Sequence, residues 1–114
     1  MSRLIQCLIV RKDLPWPPGA LIAQACHASS AINHTTIGEA REAFGKAEGV
    51  KISIMEVENQ EALQDANDKL SKDGVDFKLW TEQPENFPTC ICLKIYPEEF
   101  VEKYLKEINA EKVL

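Results

Sequence analysis

The residues best suited to chemistry lie in residues 13–28, where Gln24 and His27 stand three positions apart among small side chains. In a helix, that spacing places both side chains on one face. A histidine can act as a general base near neutral pH, and a glutamine one turn away can orient its ring or a water molecule. The pair therefore predicts a site that activates water. The structural alternative is a histidine bonded to a backbone carbonyl, beside an ordinary surface glutamine.

A strand, a turn and a helix must position this pair. Residues 4–10 form a nearly continuous apolar run, as expected of a central strand that is covered on both faces. Residues 15–19, Pro-Trp-Pro-Pro-Gly, restrict the backbone to extended and turn conformations, so the helix begins near Pro18 and runs to about Asn33. Active groups of α/β sheets gather beyond strand ends, which favours residues 13–19 and those just after them as the site.

The remaining segments predict three more strands and three more helices. Apolar periodicity indicates strands at residues 50–57, 75–80 and 89–95. Residues 81–88 are too polar and proline-rich to continue a strand and are predicted to form a loop. The helix starts are indicated by a capping box of Thr35-Thr36 with Glu39 for a helix through roughly Lys46, by an N-cap at Asn59, and by a first-turn proline at Pro97.

The order of these elements, β-α-α-β-α-β-β-α, predicts an α/β fold. We expect a single domain over residues 1–114, with a three-layer α/β/α arrangement around a four-stranded mixed sheet. A chain of 114 residues is long enough to bury a core without disulfides or a metal.

Composition and charge limit the function classes. No apolar run approaches the length that crosses a bilayer, and the first residues do not resemble a signal peptide, so we expect a cytoplasmic protein without a membrane partner. The four cysteines fit no zinc or haem spacing and are predicted to be reduced, buried thiols, with no metal or other cofactor. The net charge is −5, but residues 1–57 carry +1 and residues 58–114 carry −6, so an RNA partner should approach the N-terminal half.

Several segments together resemble a known family. Residues 11–14 are Arg-Lys-Asp-Leu, and residues 19–28 are Gly-Ala-Leu-Ile-Ala-Gln-Ala-Cys-His-Ala. They resemble the Arg-x-Asp-Leu motif and the following Gly-Lys-hydrophobic-Ala-Ala-Gln-x-x-His-Ala helix of the type 2 peptidyl-tRNA hydrolases. Residues 49–52 resemble the start of the family's second strand. Thr81 and Thr89 are spaced like two threonines of its C-terminal motif.

A divergent branch of this family, the peptidyl-tRNA hydrolase domain-containing proteins, is similar at further positions. The resemblance lies in Trp16-Pro17 with Ala20-Leu21, and in residues 82–86, Glu-Gln-Pro-Glu-Asn. In that branch, hydrolase activity is inferred chiefly from kinship.

The resemblance implies a hydrolase that cleaves the ester joining a peptide to the 3′ ribose of tRNA, without a metal. It implies peptidyl-tRNA as the substrate and partner, and pairing into a homodimer. Matching positions imply catalytic roles for Gln24, His27 and Thr81. They also place Thr89, Arg11 and Asp13 around the substrate, and nearby basic residues add Lys12 and Lys51 as candidate phosphate contacts.

These residues also have structural interpretations. Thr81 and Thr89 are common residue types at strand boundaries, and Asp13 can stabilise the turn after a strand. The basic side chains can be solvated charges. Trp16 can stack on the terminal adenine of tRNA or pack under the proline-rich turn.

Two departures from the family pattern support a second hypothesis. Ala20 stands where the family has the lysine that opens the helix, and Phe77 stands at the position of a family carboxylate. Asp76 is one position away, but strand alternation points it to the opposite face unless a bulge intervenes. Loss of both groups would remove acid–base and electrostatic contributions that are each worth orders of magnitude in rate. The second hypothesis is a non-catalytic module on the same fold that binds a tRNA end or a protein.

Overall fold

A computed structural model describes residues 3–113 of the chain. Its strands form one mixed sheet in the order β3-β4-β1-β2-β6, with β5 pairing with β1. The pair β1–β2 is parallel, and the other pairs are antiparallel. In chain order the strands are β1 (Leu4–Arg11), β2 (Lys51–Val57), β3 (Phe77–Glu82), β4 (Phe87–Leu93), β5 (Tyr96–Pro97) and β6 (Glu111–Lys112).

The mixed sheet of the sequence prediction is confirmed, but the predicted number of four strands is wrong because the sheet has six. The two additional strands, β5 and β6, are two residues long each. Segments this short carry no readable alternation of apolar and polar residues. They pair at the margins of β1 and β2, and that pairing depends on tertiary structure rather than on local sequence.

Helices cover both faces of the sheet. They are α1 (Pro18–Thr35), α2 (Ile37–Phe44), α3 (Gln60–Lys72) and α4 (Glu98–Ile108). On one face, Ile9 packs in a buried cluster with Leu63 of α3 and Val101 of α4. On the other face, Leu8 packs with Ala28 of α1. Adjacent residues of β1 thus point to opposite layers, as the alternation of a strand requires.

The helix boundaries test the capping predictions. Asn59 caps α3 as predicted, because its Oδ1 accepts a hydrogen bond from the backbone N–H of Ala62 at 2.9 Å. The capping box predicted for α2 is wrong. The hydroxyl of Thr36 donates to the carbonyl of Ile32 at 2.8 Å, and Glu39 forms an ion pair with Lys94 at 2.8 Å. Helix α2 ends at Phe44, two residues before the predicted end.

The loop predicted over residues 81–88 is present but shorter, because it spans only residues 83–86 between the hairpin strands β3 and β4. Strand β3 continues to Glu82, β4 begins at Phe87, and the N–H of Asn86 donates to the carbonyl of Glu82 at 2.7 Å. Asn86 adopts a φ of 57°, a left-handed conformation that asparagine tolerates better than most residues. Proline has no backbone N–H to donate to a neighbouring strand. Pro88 is tolerated in β4 because the pairing of β4 with β1 begins only at Cys90.

A buried polar network holds α1 against the sheet. Gln6 on β1 is fully buried, and its Nε2 donates to Asn33 Oδ1 at 2.8 Å and to the carbonyl of Leu93 at 3.1 Å. Its Oε1 accepts hydrogen bonds from Asn33 Nδ2 at 3.1 Å and Ser29 Oγ at 3.3 Å. The network fixes the position of the helix that carries Gln24 and His27. No helix in residues 3–113 combines the length and the apolar character needed to span a membrane.

The variant Asn33→Ala is expected to lower the free energy of unfolding by about 1–3 kcal/mol, since it leaves both ends of the buried Gln6 amide short of a partner. Urea unfolding followed by circular dichroism measures the change. Ser30→Ala, at an exposed position of the same helix, is the matched control and should alter stability by less than about 0.5 kcal/mol. Equal unfolding midpoints for the two variants would show that the network adds nothing to the attachment of α1.

Candidate functional site

Gln24 lies at the centre of a polar cluster where α1 crosses the hairpin. Its side chain is 4% exposed, so it is not an ordinary surface glutamine. Its Nε2 donates to Glu82 Oε2 at 2.6 Å, and its Oε1 accepts from the Thr89 hydroxyl at 3.0 Å. The amide is thus held at both ends by residues of β3 and β4. These bonds fix its position more tightly than its place on the helix alone would.

Thr89 reaches Gln24 because β4 contains a bulge. Trp80 pairs with Cys90 and Thr81 pairs with Pro88, so Thr89 is the extra residue between the two pairs. A bulge of this kind re-aims a side chain that strand alternation would send elsewhere. The Thr89 hydroxyl, which is 2% exposed, also lies 3.3 Å from the carbonyl oxygen of Trp80. The structure therefore brings Thr89 and Gln24 together, two of the residues predicted for the site.

His27 lies one turn further along α1 and is exposed. Its ring stacks on Trp80, with centroids 4.8 Å apart and planes inclined by 10°. The sequence suggested that Gln24 orients this imidazole or a water molecule. In the structure, the indole of Trp80 contacts the imidazole, and the Gln24 amide bonds to Glu82 and Thr89 instead. Within residues 3–113, Nε1 of Trp80 is buried without a hydrogen-bond partner. The stack holds the histidine ring flat against the edge strand β3.

A cavity of about 460 Å³ opens beside Gln24. Trp16 and Phe87 form an aromatic corner in it, with centroids 5.7 Å apart and planes inclined by 62°. This volume is within the range of small-molecule sites and suits a planar base or an ester group. The lining comes from the proline-rich turn, the first turns of α1 and the hairpin: Trp16, Pro17, Ala20, Gln24, Glu82, Gln83, Glu85 and Phe87.

Arg11 and Asp13 form a brace under the hairpin, in which Arg11 is buried and Asp13 is exposed. Arg11 is 6% exposed, and its Nε and Nη2 donate to the two carboxylate oxygens of Asp13 at 2.9 and 2.8 Å. Its Nη1 donates to the carbonyl of Pro88 at 2.9 Å and to Gln60 Oε1 at 3.2 Å. The hydrogen bonds from Arg11 lower the pKa of the Asp13 carboxyl. The structure thus places Arg11 inside the protein, where its hydrogen bonds hold the residue that precedes Thr89.

Two of the predicted basic residues lie away from Gln24. Lys12 is exposed and pairs with Glu58 at 3.0 Å. Lys51 starts β2 and pairs with Glu98 at 3.6 Å. The register sets Lys51 beside Ile5, at the opposite end of β1 from the brace and about 20 Å from it at 3.3 Å per residue. The structure therefore does not bring Lys51 to the cavity.

Thr81 is the third predicted catalytic residue, and it lies on the other side of the sheet. Phe77 and Leu79 of the same strand pack in the core cluster under α3 and α4. Alternation along β3 places Thr81 on that face, whereas Trp80 and Glu82 contact α1. The structure does not bring Thr81 together with Gln24 and His27.

Glu82 is the carboxylate that bonds to Gln24, and sequence reasoning missed it. Asp76, the alternative weighed from the sequence, precedes β3 at its far end and pairs with Lys94 at 3.4 Å. The sequence predicts that the third strand ends at residue 80, whereas β3 continues to Glu82. Two residues apart in a strand, Trp80 and Glu82 would have been expected on the same face. Once the strand continues to residue 82, the two side chains share the face that α1 covers.

The cysteines divide into three buried thiols and one exposed thiol. Cys26 is exposed on α1, so the prediction that all four are buried is wrong for this residue. Burial raises the pKa of Cys7 and of Cys90 to about 12 and also raises that of Cys92, which keeps these thiols protonated. Across residues 3–113, no three His, Cys, Asp or Glu side chains form a cluster suited to a metal ion.

The amino-acid sequence matches a defined class of protein. A family model described as peptidyl-tRNA hydrolase PTH2 matches residues 4–110, so the chain belongs to the PTH2 peptidyl-tRNA hydrolase family. Two relatives, from Homo sapiens and Mus musculus, are both named "Putative peptidyl-tRNA hydrolase PTRHD1". Each is 40% identical, over 116 and 120 residues respectively, with 96% of this chain and 83% of the relative covered. The predicted family and its divergent branch are confirmed.

Proposed function

We propose that this protein is a cytoplasmic hydrolase that cleaves the ester between a peptide and the 3′ end of tRNA without a metal. The observation that carries the proposal is the buried amide of Gln24 at a cavity wall, held at both ends and one helical turn from His27. Family membership supports the same substrate class. The cavity offers an aromatic corner at Trp16 on which the terminal adenine can stack.

His27 is the general base in this mechanism. A water oxygen attacks the carbonyl carbon of the ester while the imidazole takes one of the water protons. The tetrahedral intermediate then collapses and the bond to the ribose 3′ oxygen breaks, and that oxygen receives the proton from His27. The products are a peptide with a free carboxylic acid and a tRNA with a free 3′ hydroxyl. Stacking on Trp80 holds the imidazole in one plane, which reduces the motion that proton transfer must overcome.

A second candidate function is a tRNA-end-binding module without turnover, and the lack of a cation in the described cavity lining is the observation that favours the absence of turnover. The lining within the described residues includes the carboxylates of Glu82 and Glu85 and no lysine or arginine. Ala20 occupies the first turn of α1 at this wall. A cavity without a cation gives little charge stabilisation to a developing oxyanion. Salt-dependent binding of tRNA without ester cleavage would identify this module.

The variant His27→Ala is expected to lower the rate of hydrolysis of a defined N-acetylaminoacyl-tRNA by on the order of 10²–10⁴-fold, the usual contribution of a general base. The measurement is release of the free N-acetylamino acid by purified protein. His34→Ala removes the other histidine of the same helix at an exposed position and should leave the rate unchanged. Equal rates for wild type and His27→Ala would remove His27 from the mechanism.

A further inference from the structure

Glu82 occupies a place that links the cavity to Gln24. It is the last residue of β3 and lines the cavity together with Gln24. Its Oε2 accepts from Gln24 Nε2 at 2.6 Å, and its Oε1 accepts from the backbone N–H of Gln83 at 3.0 Å. The first of these distances is short for a nitrogen donor and is consistent with a charge-assisted hydrogen bond.

The carboxylate determines which way the Gln24 amide faces. An ionised carboxylate accepts hydrogen bonds and donates none, so the NH₂ end of the amide must face Glu82. The amide oxygen then faces Thr89, whose hydroxyl donates to it at 3.0 Å. The reversed amide would set two acceptors against each other beside Glu82, at a cost comparable to an unsatisfied buried polar group. One orientation of Gln24 is therefore strongly favoured.

That orientation decides what the amide presents to the cavity. Glu82 lines the cavity, whereas Thr89 is buried at 2% exposure behind Gln24. The NH₂ group therefore faces a residue that lines the cavity, and the carbonyl faces the buried Thr89. Among residues 3–113, Glu82 is the one hydrogen-bond acceptor of this NH₂ group, so its second N–H can donate to a bound ligand.

We propose that Glu82 is a positioning residue that aims the second N–H of Gln24 at an oxygen of the bound ester, a role that rests on the proposed hydrolase function. Glu82 acts through Gln24, whose amide is the fixed donor of a site with no lysine among its described lining residues. A donor held in advance at the reacting carbonyl lowers the barrier without reorganisation during the reaction. Hydrogen-bond polarity, rather than negative charge as such, is the property of Glu82 that matters.

Three variants separate polarity from charge in an assay on N-acetylaminoacyl-tRNA. Glu82→Gln can donate as well as accept, so it permits both orientations of Gln24. Two equally populated orientations leave half of the protein competent, so kcat should fall by about two-fold or more with KM unchanged. Glu82→Asp accepts only and should recover most of kcat. Glu102→Gln removes one charge from an exposed position of α4, outside the cavity lining, and should leave kcat unchanged. Equal effects of Glu82→Gln and Glu102→Gln, or an Asp variant no better than the Gln variant, would overturn the proposal.

A readout that needs no turnover separates this proposal from the hydrolase function. In ¹⁵N-labelled wild-type protein, the side-chain NH₂ of Gln24 should give one pair of proton signals, with one proton shifted downfield by its bond to Glu82. Glu82→Asp should keep the single pair, and Glu82→Gln should broaden or double it. If these three patterns are observed but the wild-type protein does not cleave the ester, the result supports the proposed orientation of Gln24 and refutes the hydrolase function. Signals that are identical in wild type and Glu82→Gln would refute the orientation whatever the turnover.

Discussion

Replacing Gln24 with alanine is expected to lower kcat/KM for N-acetylaminoacyl-tRNA by at least about 100-fold, the usual cost of removing one fixed donor at a reacting carbonyl. The substitution also leaves the Glu82 carboxylate and the Thr89 hydroxyl without the partner that both now share. We therefore expect the free energy of unfolding to fall by about 1–3 kcal/mol. Steady-state hydrolysis and urea unfolding of the same preparation measure the two effects.

Gln83→Ala is the matched control for this variant. Gln83 is an exposed glutamine on the same cavity wall, and its Nε2 donates to Asn86 Oδ1 at 3.2 Å rather than to a residue of α1. Its removal should change kcat/KM by less than about three-fold, because an exposed hydrogen bond contributes little. If the two variants lose the same activity, Gln24 has no special role and the buried amide is only a packing feature.

The largest effect on stability is expected for Arg11→Met, at about 2–3 kcal/mol. Arg11 is buried and donates four hydrogen bonds, and hydrogen bonds of charged groups contribute about 1.5–3 kcal/mol. The contribution of the ion pair itself is small, because the Asp13 side chain is 36% exposed and keeps much of its hydration. The carbonyl of Pro88 also loses its donor, so the segment before Thr89 should loosen. Urea unfolding near neutral pH is the measurement.

The dependence of the free energy of unfolding on pH, measured at acidic pH, gives this prediction a second test. Since Arg11 lowers the pKa of Asp13 in the folded state, the pair stabilises the protein above the carboxyl's unfolded pKa. This stabilisation is lost as the pH falls through the folded pKa, and Arg11→Met should show less of that loss. Lys12→Met, which removes the neighbouring exposed cation, should cost at most about 1 kcal/mol. Equal costs for the two variants would contradict the brace.

The framework of the fold could be predicted because it depends on local patterns. The apolar run before Arg11 predicts β1, and the proline-rich turn sets the start of α1 at Pro18. The cap at Asn59 marks the start of α3. These features require only periodicity and the backbone preferences of a few residues.

The contacts of the site could be predicted only in part, because they join distant segments. Glu82 and Thr89 are 58 and 65 residues from Gln24, and no short pattern connects them. The bulge at Thr89 depends on the register between two strands, which neither strand specifies alone. The same holds for Trp80, whose stacking on His27 depends on how α1 crosses the sheet. The sequence therefore predicted Gln24, His27 and Thr89, but not Glu82, which bonds to Gln24, or Trp80, which stacks on His27.

A single-turnover reaction of the unaltered protein with N-acetylaminoacyl-tRNA tests the central claim most directly. With protein in excess over tRNA, we predict ester cleavage faster than the uncatalysed blank, at a rate that saturates with protein concentration. Gln24→Ala and His27→Ala should each reduce that rate toward the blank. Saturable binding of the tRNA, with its ester cleaved no faster than in the blank, would contradict the hydrolase and leave the tRNA-end-binding module.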